Sequence, residues 1–393
     1  MSISKKMEGF ITRASWVRKM FEEGEKLKQT YGADKVFDFS LGNPSLEPPE
    51  VFFKCLEKEA LLHKGHGYMP NAGFEETREA VATYLRKEHD LPFSSEHIVM
   101  TCGAAGAINI ALKALVDPGD EVIVPAPYFT EFNFYIDNHG GVLKVVPTKD
   151  DFDLDLEVIA DNITIKTKAI LLNSPNNPTG QIYSVDTLKG LAEILERHIQ
   201  QTNHIVYIIM DEPYYKIVYE DCVLPSIFQI YPQTLVANSF SKSLSIPGER
   251  IGYLAIHPKA THKSSIINAA ILANRILGFV NAPALMQRVT RHILDKTADI
   301  GQYQYKRDLL CEGLSKMGFS FIKPKGTFYL FPKSPILDDV AFVQALKEER
   351  ILAVPGSGFA APGYFRLAFC IETSTIENAL PYFENVAKAF NLA

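Results

Sequence analysis

The chain has 393 residues, a formal net charge of -6, 47% hydrophobic residues and 22% charged residues. This length allows two domains, and the modest charge, without a block of like charges, argues against nucleic acid or a membrane surface as a partner. The five scattered cysteines form no CxxC pair, and neither a secretory signal nor a membrane span is apparent, so reduced thiols, no zinc site and a cytoplasmic location are expected.

The elements predicted first are helices over 12–31 and 75–87, separated by a turn-rich passage over 41–49. From about residue 98 to 256, short apolar runs alternate with helical stretches. Two of these stretches, 107–115 and 185–198, have the spacing of clear helices. The apolar runs cover 98–100, 121–124, 142–146, 169–172, 205–210, 235–237 and 251–256.

Runs that are apolar throughout and are separated by helices predict an α/β fold with a mainly parallel, seven-stranded sheet sandwiched by helices. Beyond residue 285, a long helix over 283–317 and strands over 319–322, 327–331 and 365–369 predict a smaller α+β domain. We therefore predict an N-terminal arm with part of the small domain over 1–45, a large ligand-binding domain over 46–284 and a small domain over 285–393. Sheets of this kind bind ligands at the carboxyl ends of their strands.

Three segments follow predicted strands with residues suited to a binding site. Segment 101–106, Thr-Cys-Gly-Ala-Ala-Gly, offers backbone N–H groups to a phosphate, although small residues also permit close helix packing. Segment 174–180, Ser-Pro-Asn-Asn-Pro-Thr-Gly, fixes Asn177 in a rigid turn, for which an Asx turn is the competing interpretation. Asp211 ends an apolar strand, where a carboxylate either pairs with a cation such as a protonated pyridine or caps a helix.

A lysine and two arginines supply further candidates for binding an aldehyde, a phosphate or a carboxylate. Lys242 closes the sequence Ser-Phe-Ser-Lys, and Arg250 follows eight residues later. A lysine can form a Schiff base with an aldehyde while Ser239 and Arg250 hold a phosphate, although a lysine taken singly is usually a surface residue. Arg366 stands on an apolar strand, where it binds either a substrate carboxylate or an acid of the same chain.

Aromatic residues supply the remaining candidates. Tyr128 follows a strand and can stack on a planar ring, and Tyr214 lies three residues after Asp211. Tyr68 lies in a loop and can reach a phosphate across a subunit interface. The close histidines at 63 and 66 have no acidic or cysteine neighbour, so surface positions are expected for them and no metal site is predicted.

The motifs Ser-Phe-Ser-Lys, Asn-Asn-Pro-Thr-Gly and Asp-Glu-Pro-Tyr together resemble those of the pyridoxal-phosphate (PLP) dependent class I/II aminotransferases of fold type I, the aspartate aminotransferase superfamily. The likeness covers nearly the whole chain, from Gly42 to Arg366. It implies a transaminase with PLP as cofactor, which moves an amino group between an L-amino acid and a 2-oxo acid in two half-reactions. It also implies a homodimer whose active site lies between the subunits.

The resemblance assigns a role to each candidate. Lys242 would form the internal aldimine and move the proton, Asp211 would pair with the pyridine nitrogen, Tyr128 would stack on the ring, and Arg366 would bind the substrate α-carboxylate. Asn177 and Tyr214 would contact the phenolic oxygen, and Gly42 and Asn177 would lie near the substrate. The phosphate would be held by Gly103, Ala104, Ala105, Ser239, Arg250 and, from the neighbouring subunit, Tyr68. The family often has a hydroxyl where Ala105 stands, so that contact would be lost or made by Thr101.

Two alternatives to a transaminase are compatible with this sequence. A PLP-dependent C–S (β-elimination) lyase of the same fold needs the same cofactor contacts, and a non-catalytic binding protein can keep the fold alone. The amino acid used is not predicted, because the side-chain pocket is expected from the N-terminal arm and residues 275–285. Arg275 is either a ligand for a distal carboxylate or a structural helix arginine.

Overall fold

The computed structural model describes residues 3–12, 16–62, 65, 67–220 and 222–392. The predictions for residues 13–15, 63 and 66 lie outside these ranges. The helices are α1 (Lys5–Thr12), α2 (Trp16–Tyr31), α3 (Glu50–Leu62), α4 (Glu75–His89), α5 (Gly103–Leu115), α6 (Glu131–Asn138), α7 (Leu156–Asn162), α8 (Val185–Thr202), α9 (Ile227–Ile230), α10 (Lys263–Ile276), α11 (Ala284–Thr290), α12 (Ile300–Lys316), α13 (Asp339–Glu348) and α14 (Thr373–Ala389). The strands are β1 (Phe37–Asp38), β2 (Ile98–Thr101), β3 (Glu121–Ala126), β4 (Val142–Pro147), β5 (Thr167–Asn173), β6 (Tyr207–Asp211), β7 (Thr234–Ser239), β8 (Gly252–Ile256), β9 (Tyr329–Leu330), β10 (Ile351–Leu352), β11 (Val354–Pro355) and β12 (Phe365–Ala368).

Seven strands form one sheet in the order β2-β8-β7-β6-β5-β3-β4. Strand β8 runs antiparallel to both of its neighbours, and the other pairs are parallel. Every residue of β2, β6, β7 and β8 is buried, since helices cover both faces of the sheet. The predicted mainly parallel, seven-stranded sheet is confirmed.

Apolar cores fill the space between the sheet and its two helical layers. One face packs against α3, α4, α8 and α11, and the other packs against α5, α6 and α10. Helix α8 shows why the sequence folds this way, because Leu188, Leu191 and Leu195 recur at helical spacing and are buried. The helix begins where the Ser184 side chain accepts a hydrogen bond from the Thr187 N–H.

A third core belongs to a smaller α+β unit. It joins the antiparallel strands β11-β12-β9 and the parallel pair β1–β10 to α12, α13 and α14, and it includes Phe37 and Phe39 from the N-terminal part of the chain. Helix α11 packs instead against α3 and the first core. We therefore propose that the smaller unit begins near residue 300 rather than at 285.

Two predictions for the C-terminal part are wrong. The single helix over 283–317 is two helices, because Asp299 caps a new helix by accepting a hydrogen bond from Gly301 N–H. The segment between the two helices is bound to the loop after β7, because the Ala298 N–H donates a hydrogen bond to the Ser243 carbonyl. The run 319–322 forms no strand: Phe319 is buried in the third core, but no described strand pairs with the run.

Strand β9 is also shorter than the run 327–331, since Thr327 has a positive φ of 64° that ends the extended backbone.

In the part of the chain that the structure describes, no helix is long and apolar enough to cross a bilayer.

Candidate active site

A cavity of about 970 Å³ opens at one edge of the large sheet. Asn173, Asp211 and Ser239 are the last residues of β5, β6 and β7, and all three line the cavity. Parallel strands bring such carboxyl-terminal residues together, which explains why distant sequence segments meet here. Of the residues predicted from the sequence, the wall contains Gly42, Ala104, Ala105, Asn177, Asp211, Tyr214, Ser239, Lys242, Arg250 and Arg366.

Lys242 lies three residues beyond β7, inside the cavity. Its Nζ donates a hydrogen bond to the carbonyl oxygen of Gly42 at 2.6 Å, and no described acid forms an ion pair with it. Burial is the main cause that lowers the pKa of Lys242 to about 8, with Arg366 and Arg250 adding to the effect and Cys370 opposing it. This amine therefore loses its proton more easily than a solvated lysine, which suits a nucleophile or proton acceptor.

Asp211 presents a buried carboxylate that no described cation neutralises. One of its oxygens, Oδ2, accepts a hydrogen bond from the Asn173 side chain at 3.1 Å, whereas Oδ1 is buried without a partner among the described residues. Burial raises the pKa of Asp211 to about 8. A cationic ring N–H placed against Oδ1 would satisfy this oxygen and stabilise the charged carboxylate.

Two phenolic hydroxyls and a side-chain amide, those of Tyr214, Tyr329 and Asn177, also line the cavity. The Tyr214 hydroxyl lies 3.1 Å from that of Tyr329, and burial raises the pKa of both phenols. Asn177 is held by its own backbone, whose N–H donates to the Asn173 side-chain oxygen at 2.7 Å. Its side-chain oxygen accepts from Arg366, so its amide nitrogen is the group left for a ligand.

The segment that follows β2 forms a cradle with Arg250. The Arg250 guanidinium donates to the Cys102 carbonyl at 3.3 Å and to the Pro247 carbonyl at 3.0 Å, both of which are neutral. Gly103 has a φ of 77°, and a Cβ there would lie 2.8 Å from Arg250 Nη2, so only glycine lets the arginine approach. A helix N-terminus, a serine at 239 and a guanidinium that pairs with no described acid together suit a phosphate.

The Thr101 hydroxyl, expected as a possible substitute for the one absent at Ala105, is engaged within its own segment. Its Oγ1 donates to the Gly103 carbonyl at 2.9 Å and the side chain is fully buried. Of the two outcomes expected for this contact, its loss is the one that the geometry favours. The nearby Ser241 hydroxyl, 3.5 Å from Arg250 Nη1, lines the cavity and was not anticipated.

Arg366 is the most deeply buried cation of the cavity, with 2% of its surface exposed. It donates to Asn177 Oδ1 at 3.0 Å and to the Ser40 carbonyl at 2.6 Å, and its Nε has no described partner. The guanidinium carbon lies 4.4 Å and 4.7 Å from the ring centroids of Tyr329 and Phe359. All these contacts are neutral, which leaves the positive charge available for an anion.

Tyr128 and Tyr68 are not brought into this cavity. The Tyr128 hydroxyl donates to Asn133 Oδ1 at 2.7 Å and its ring stacks against Phe132, so the side chain is buried behind the wall. The next residue, Phe129, lines the cavity instead. Tyr68 is 95% exposed in a loop of this subunit. Gly103 contributes backbone beneath Arg250 and is likewise absent from the lining.

Other wall residues were missed in the sequence. Helix α1 contributes Met7, Phe10 and Ile11, whose helical spacing was the available signal. It is fastened to α6, because Phe10 meets Phe134 with ring centroids 4.7 Å apart and Lys6 pairs with Asp137 at 2.5 Å. Asn173 is the polar residue directly after an apolar run, whereas nothing distinguished Tyr329 from the aromatic core residues beside it.

The charged groups of this cavity fit PLP. The partnerless oxygen of Asp211 matches a protonated pyridine nitrogen, the Gly103–Arg250 cradle matches a phosphate, and Lys242 is an amine with a lowered pKa. In the described parts of the chain, no group of three or more histidine, cysteine, aspartate or glutamate side chains is placed to hold a metal ion.

Comparisons with known proteins agree with this chemistry. Residues 34–383 match the family model described as aminotransferase class I and II. A probable aspartate aminotransferase of Methanocaldococcus jannaschii is 33% identical over 351 residues, which cover 87% of this chain and 91% of that protein. The aspartate/prephenate aminotransferase of Thermus thermophilus is 34% identical over 355 residues, which cover 88% and 89% of the two chains.

Solved structures are similar along their whole length. An amino transferase from Eubacterium rectale superposes with a TM-score of 0.96 at 37% identity, covering 100% of both chains. Aspartate aminotransferase from Thermus thermophilus with maleate gives a TM-score of 0.87 at 28% identity, covering 98% of this chain and 100% of that one.

Proposed function

The chain belongs to the class I and II aminotransferases, which are PLP-dependent transaminases, and from that premise we propose the part that each residue plays. When bound, PLP supplies an aldehyde that a lysine amine can hold covalently and a pyridine ring that draws electrons from the amino acid Cα. One observation carries the assignment. Three largely buried charged groups, Lys242, Asp211 and Arg366, face one cavity, and none is paired with an opposite charge among the described residues.

Arg366 and Lys242 act on the amino acid. Arg366 binds its α-carboxylate through the guanidinium edge that neutral partners leave open, and this fixes the Cα within reach of Lys242. The Lys242 amine, held by the Gly42 carbonyl and with a pKa of about 8, would accept the Cα proton and deliver it to the carbon that the PLP aldehyde provides. Water would then release the substrate as a 2-oxo acid with its amino nitrogen left on the cofactor, and a second 2-oxo acid would take up that nitrogen by the reverse steps.

The cofactor is held at three points. Asp211 keeps the pyridine nitrogen protonated, because the charged carboxylate is stable only beside a cation. Asn177 and Tyr214 donate to the phenolic oxygen. The backbone of Gly103, Ala104 and Ala105 binds the phosphate together with Ser239, Ser241 and Arg250. We assign ring stacking to Phe129 rather than to Tyr128, since Phe129 lines the cavity and Tyr128 is engaged behind it.

Two wider properties complete the proposal. We propose a homodimer in which Tyr68 of one subunit reaches the phosphate of the other, because an almost fully exposed tyrosine in this subunit lies outside its own cavity. We also propose a cytoplasmic enzyme, since its five cysteines are free and its substrates are small metabolites.

A panel of L-amino acids tests the transaminase assignment against the C–S lyase. The PLP-loaded protein is incubated with each amino acid, with and without 2-oxoglutarate or pyruvate, and the products are separated. We expect a new amino acid that depends on the 2-oxo acid acceptor. Release of pyruvate and ammonia from a cysteine conjugate, without any acceptor-dependent product, would identify a lyase instead, and no reaction at all would favour a binding protein.

A further inference from the structure

One wall of the cavity, made by Leu41, Ile108 and helices α1 and α6, is largely apolar. We expect the substrate side chain to lie against this wall. Its apolar members from the two helices are Met7, Phe10, Ile11, Phe132 and Phe134. This wall lies on elements other than the strand ends that carry Asn173, Asp211 and Ser239. An apolar wall favours apolar substrate surface by about 25 cal/mol for each Å² removed from water.

The cations of the cavity are already engaged. Among its lining residues, all of which lie within the described ranges, only Lys242, Arg250 and Arg366 carry a positive charge. In the proposed function they serve the cofactor aldehyde, the phosphate and the α-carboxylate. Arg275, considered from the sequence for a distal carboxylate, is exposed in the last turn of α10 and does not line the cavity. Among the described residues of one subunit, a second substrate carboxylate therefore meets no spare cation in this wall.

Glu131 supplies the opposite charge. It begins α6 and lies on the cavity side of that helix with Tyr135 and Asn138, spaced four and seven residues further on. Its carboxylate is half-buried and forms no hydrogen bond or ion pair with a described residue. Burial raises the pKa of Glu131, and burial followed by the Glu131 charge raises the pKa of Tyr135 to about 12. An acid in this position repels an anion and attracts a cation.

From these observations we propose that Glu131 determines the substrate class, rejecting amino acids with a second carboxylate and pairing with a cationic group at the end of an apolar stem. The substrates are then amino acids of the leucine type, which meet only the apolar wall, and of the lysine type, whose ammonium reaches Glu131. Dicarboxylic amino acids are poor substrates. This inference rests on the proposed function, and it separates this chain from relatives that are named for aspartate.

Single-turnover kinetics of the PLP-loaded enzyme with L-leucine, L-lysine and L-aspartate test the preference. The wild-type second-order rate constant for leucine and lysine should exceed that for aspartate by at least about tenfold. In Glu131→Gln we expect the aspartate constant to rise about tenfold, the lysine constant to fall about tenfold and the leucine constant to stay within about twofold. Glu157→Gln is the matched control, since Glu157 is an exposed acid in the first turn of α7, away from the cavity.

Equilibrium binding provides a readout that does not depend on turnover. Calorimetric titration with maleate and with hexanoate measures the two carboxylate classes directly, and Glu131→Gln should tighten maleate binding about tenfold while leaving hexanoate unchanged. The inference is overturned if the wild type uses aspartate as well as leucine and lysine, or if Glu131→Gln leaves both ratios as they were. If no amino acid reacts, the transaminase assignment fails instead, and the maleate-to-hexanoate ratio still decides the role of Glu131.

Discussion

Arg366 and Arg307 are both fully buried arginines, yet their surroundings differ in kind. The Arg307 side chain has 0% exposure and pairs with Glu220 at 2.5 Å and Asp308 at 2.8 Å, while its guanidinium lies over the Tyr219 ring. Arg366 has an amide, a carbonyl and two aromatic rings around it, but no acid among the described residues. A buried cation with its own acids is complete, whereas one with neutral partners still needs an anion.

The same contrast holds for the regions around them. Near Arg307, Lys323 also pairs with Asp308 at 2.9 Å, so this ionic cluster is neutralised by the chain itself. In the cavity, Lys242 and Asp211 each lack an opposite charge from any residue that the structure describes. Perturbed charged groups of this kind are typical of functional sites, where stability is given up for reactivity. The comparison predicts loss of function from changes in the cavity and loss of stability from changes in the ionic cluster.

The largest effect is expected for Lys242→Ala. Without the amine, no group in the cavity can hold the aldehyde or move the Cα proton, so transamination should fall by at least about 10⁴-fold. The visible absorbance of the lysine-bound cofactor should disappear at the same time, while the thermal unfolding midpoint stays near that of wild type. A retained spectrum with a normal rate would assign the lysine role to another residue.

Arg366→Met and Arg307→Met form a matched pair. Together they test whether the arginine with neutral partners serves function and the arginine with acidic partners serves stability. For Arg366→Met we expect kcat/KM for all amino acids to fall about 10²–10³-fold, mainly through KM, because the carboxylate anchor is lost. Arg307→Met should instead lower the free energy of unfolding by about 3 kcal/mol, since it leaves Glu220 and Asp308 without their main cation.

Steady-state kinetics and urea unfolding of both proteins check this pair. Equal losses of stability in the two variants, with equal kinetics, would show that neutral and acidic surroundings do not distinguish the two arginines.

Asp211→Asn should stabilise the cofactor-free protein while weakening cofactor binding. The pKa of Asp211 is raised from 3.8 to about 8, so its protonated form favours folding below about pH 4 and this contribution is lost as pH rises through about 8. Asparagine does not ionise, so the variant does not lose this folding stability as pH rises. The variant should therefore gain on the order of 1–2 kcal/mol over wild type at pH 8 and nothing at pH 4. Urea unfolding at both pH values measures the difference, and equal stability at pH 8 would mean that Asp211 has a cation in the cofactor-free state.

Tyr329→Phe should give the smallest effect. It removes the hydroxyl 3.1 Å from Tyr214 but keeps the ring beneath Arg366, so kcat should fall roughly two- to tenfold with little change in KM. Tyr214→Phe is the companion variant, and a double mutant tests whether the two hydroxyls act together. A KM effect larger than the kcat effect would instead indicate that the hydroxyl helps to hold Arg366.

The sequence predicted the sheet and most of the polar wall, since runs of buried strand residues leave a strong signal and the motifs lie directly after them. Its assignment of ring stacking to Tyr128 stays a prediction, and the adjacent Phe129 is the residue that lines the cavity, which only packing could show. It also missed Tyr329 and Asn173, whose roles depend on contacts with residues far away in the chain. The prediction of a single helix over 283–317 was wrong for a local reason, because Asp299 caps a new helix inside that range.

The separation of the cavity into strand-end groups and a wall from α1 and α6 has a consequence for how such an enzyme diversifies. Lys242, Asp211 and Arg366 are fixed by the sheet and the small unit, so changes there disturb every substrate alike. Met7, Phe10 and Ile11 lie on a short helix whose contacts with α6 include the Phe10–Phe134 ring contact and the Lys6–Asp137 ion pair. Mutations in this helix can alter what fits without altering the chemistry, and new specificities can therefore arise in few steps while the fold and cofactor are inherited unchanged.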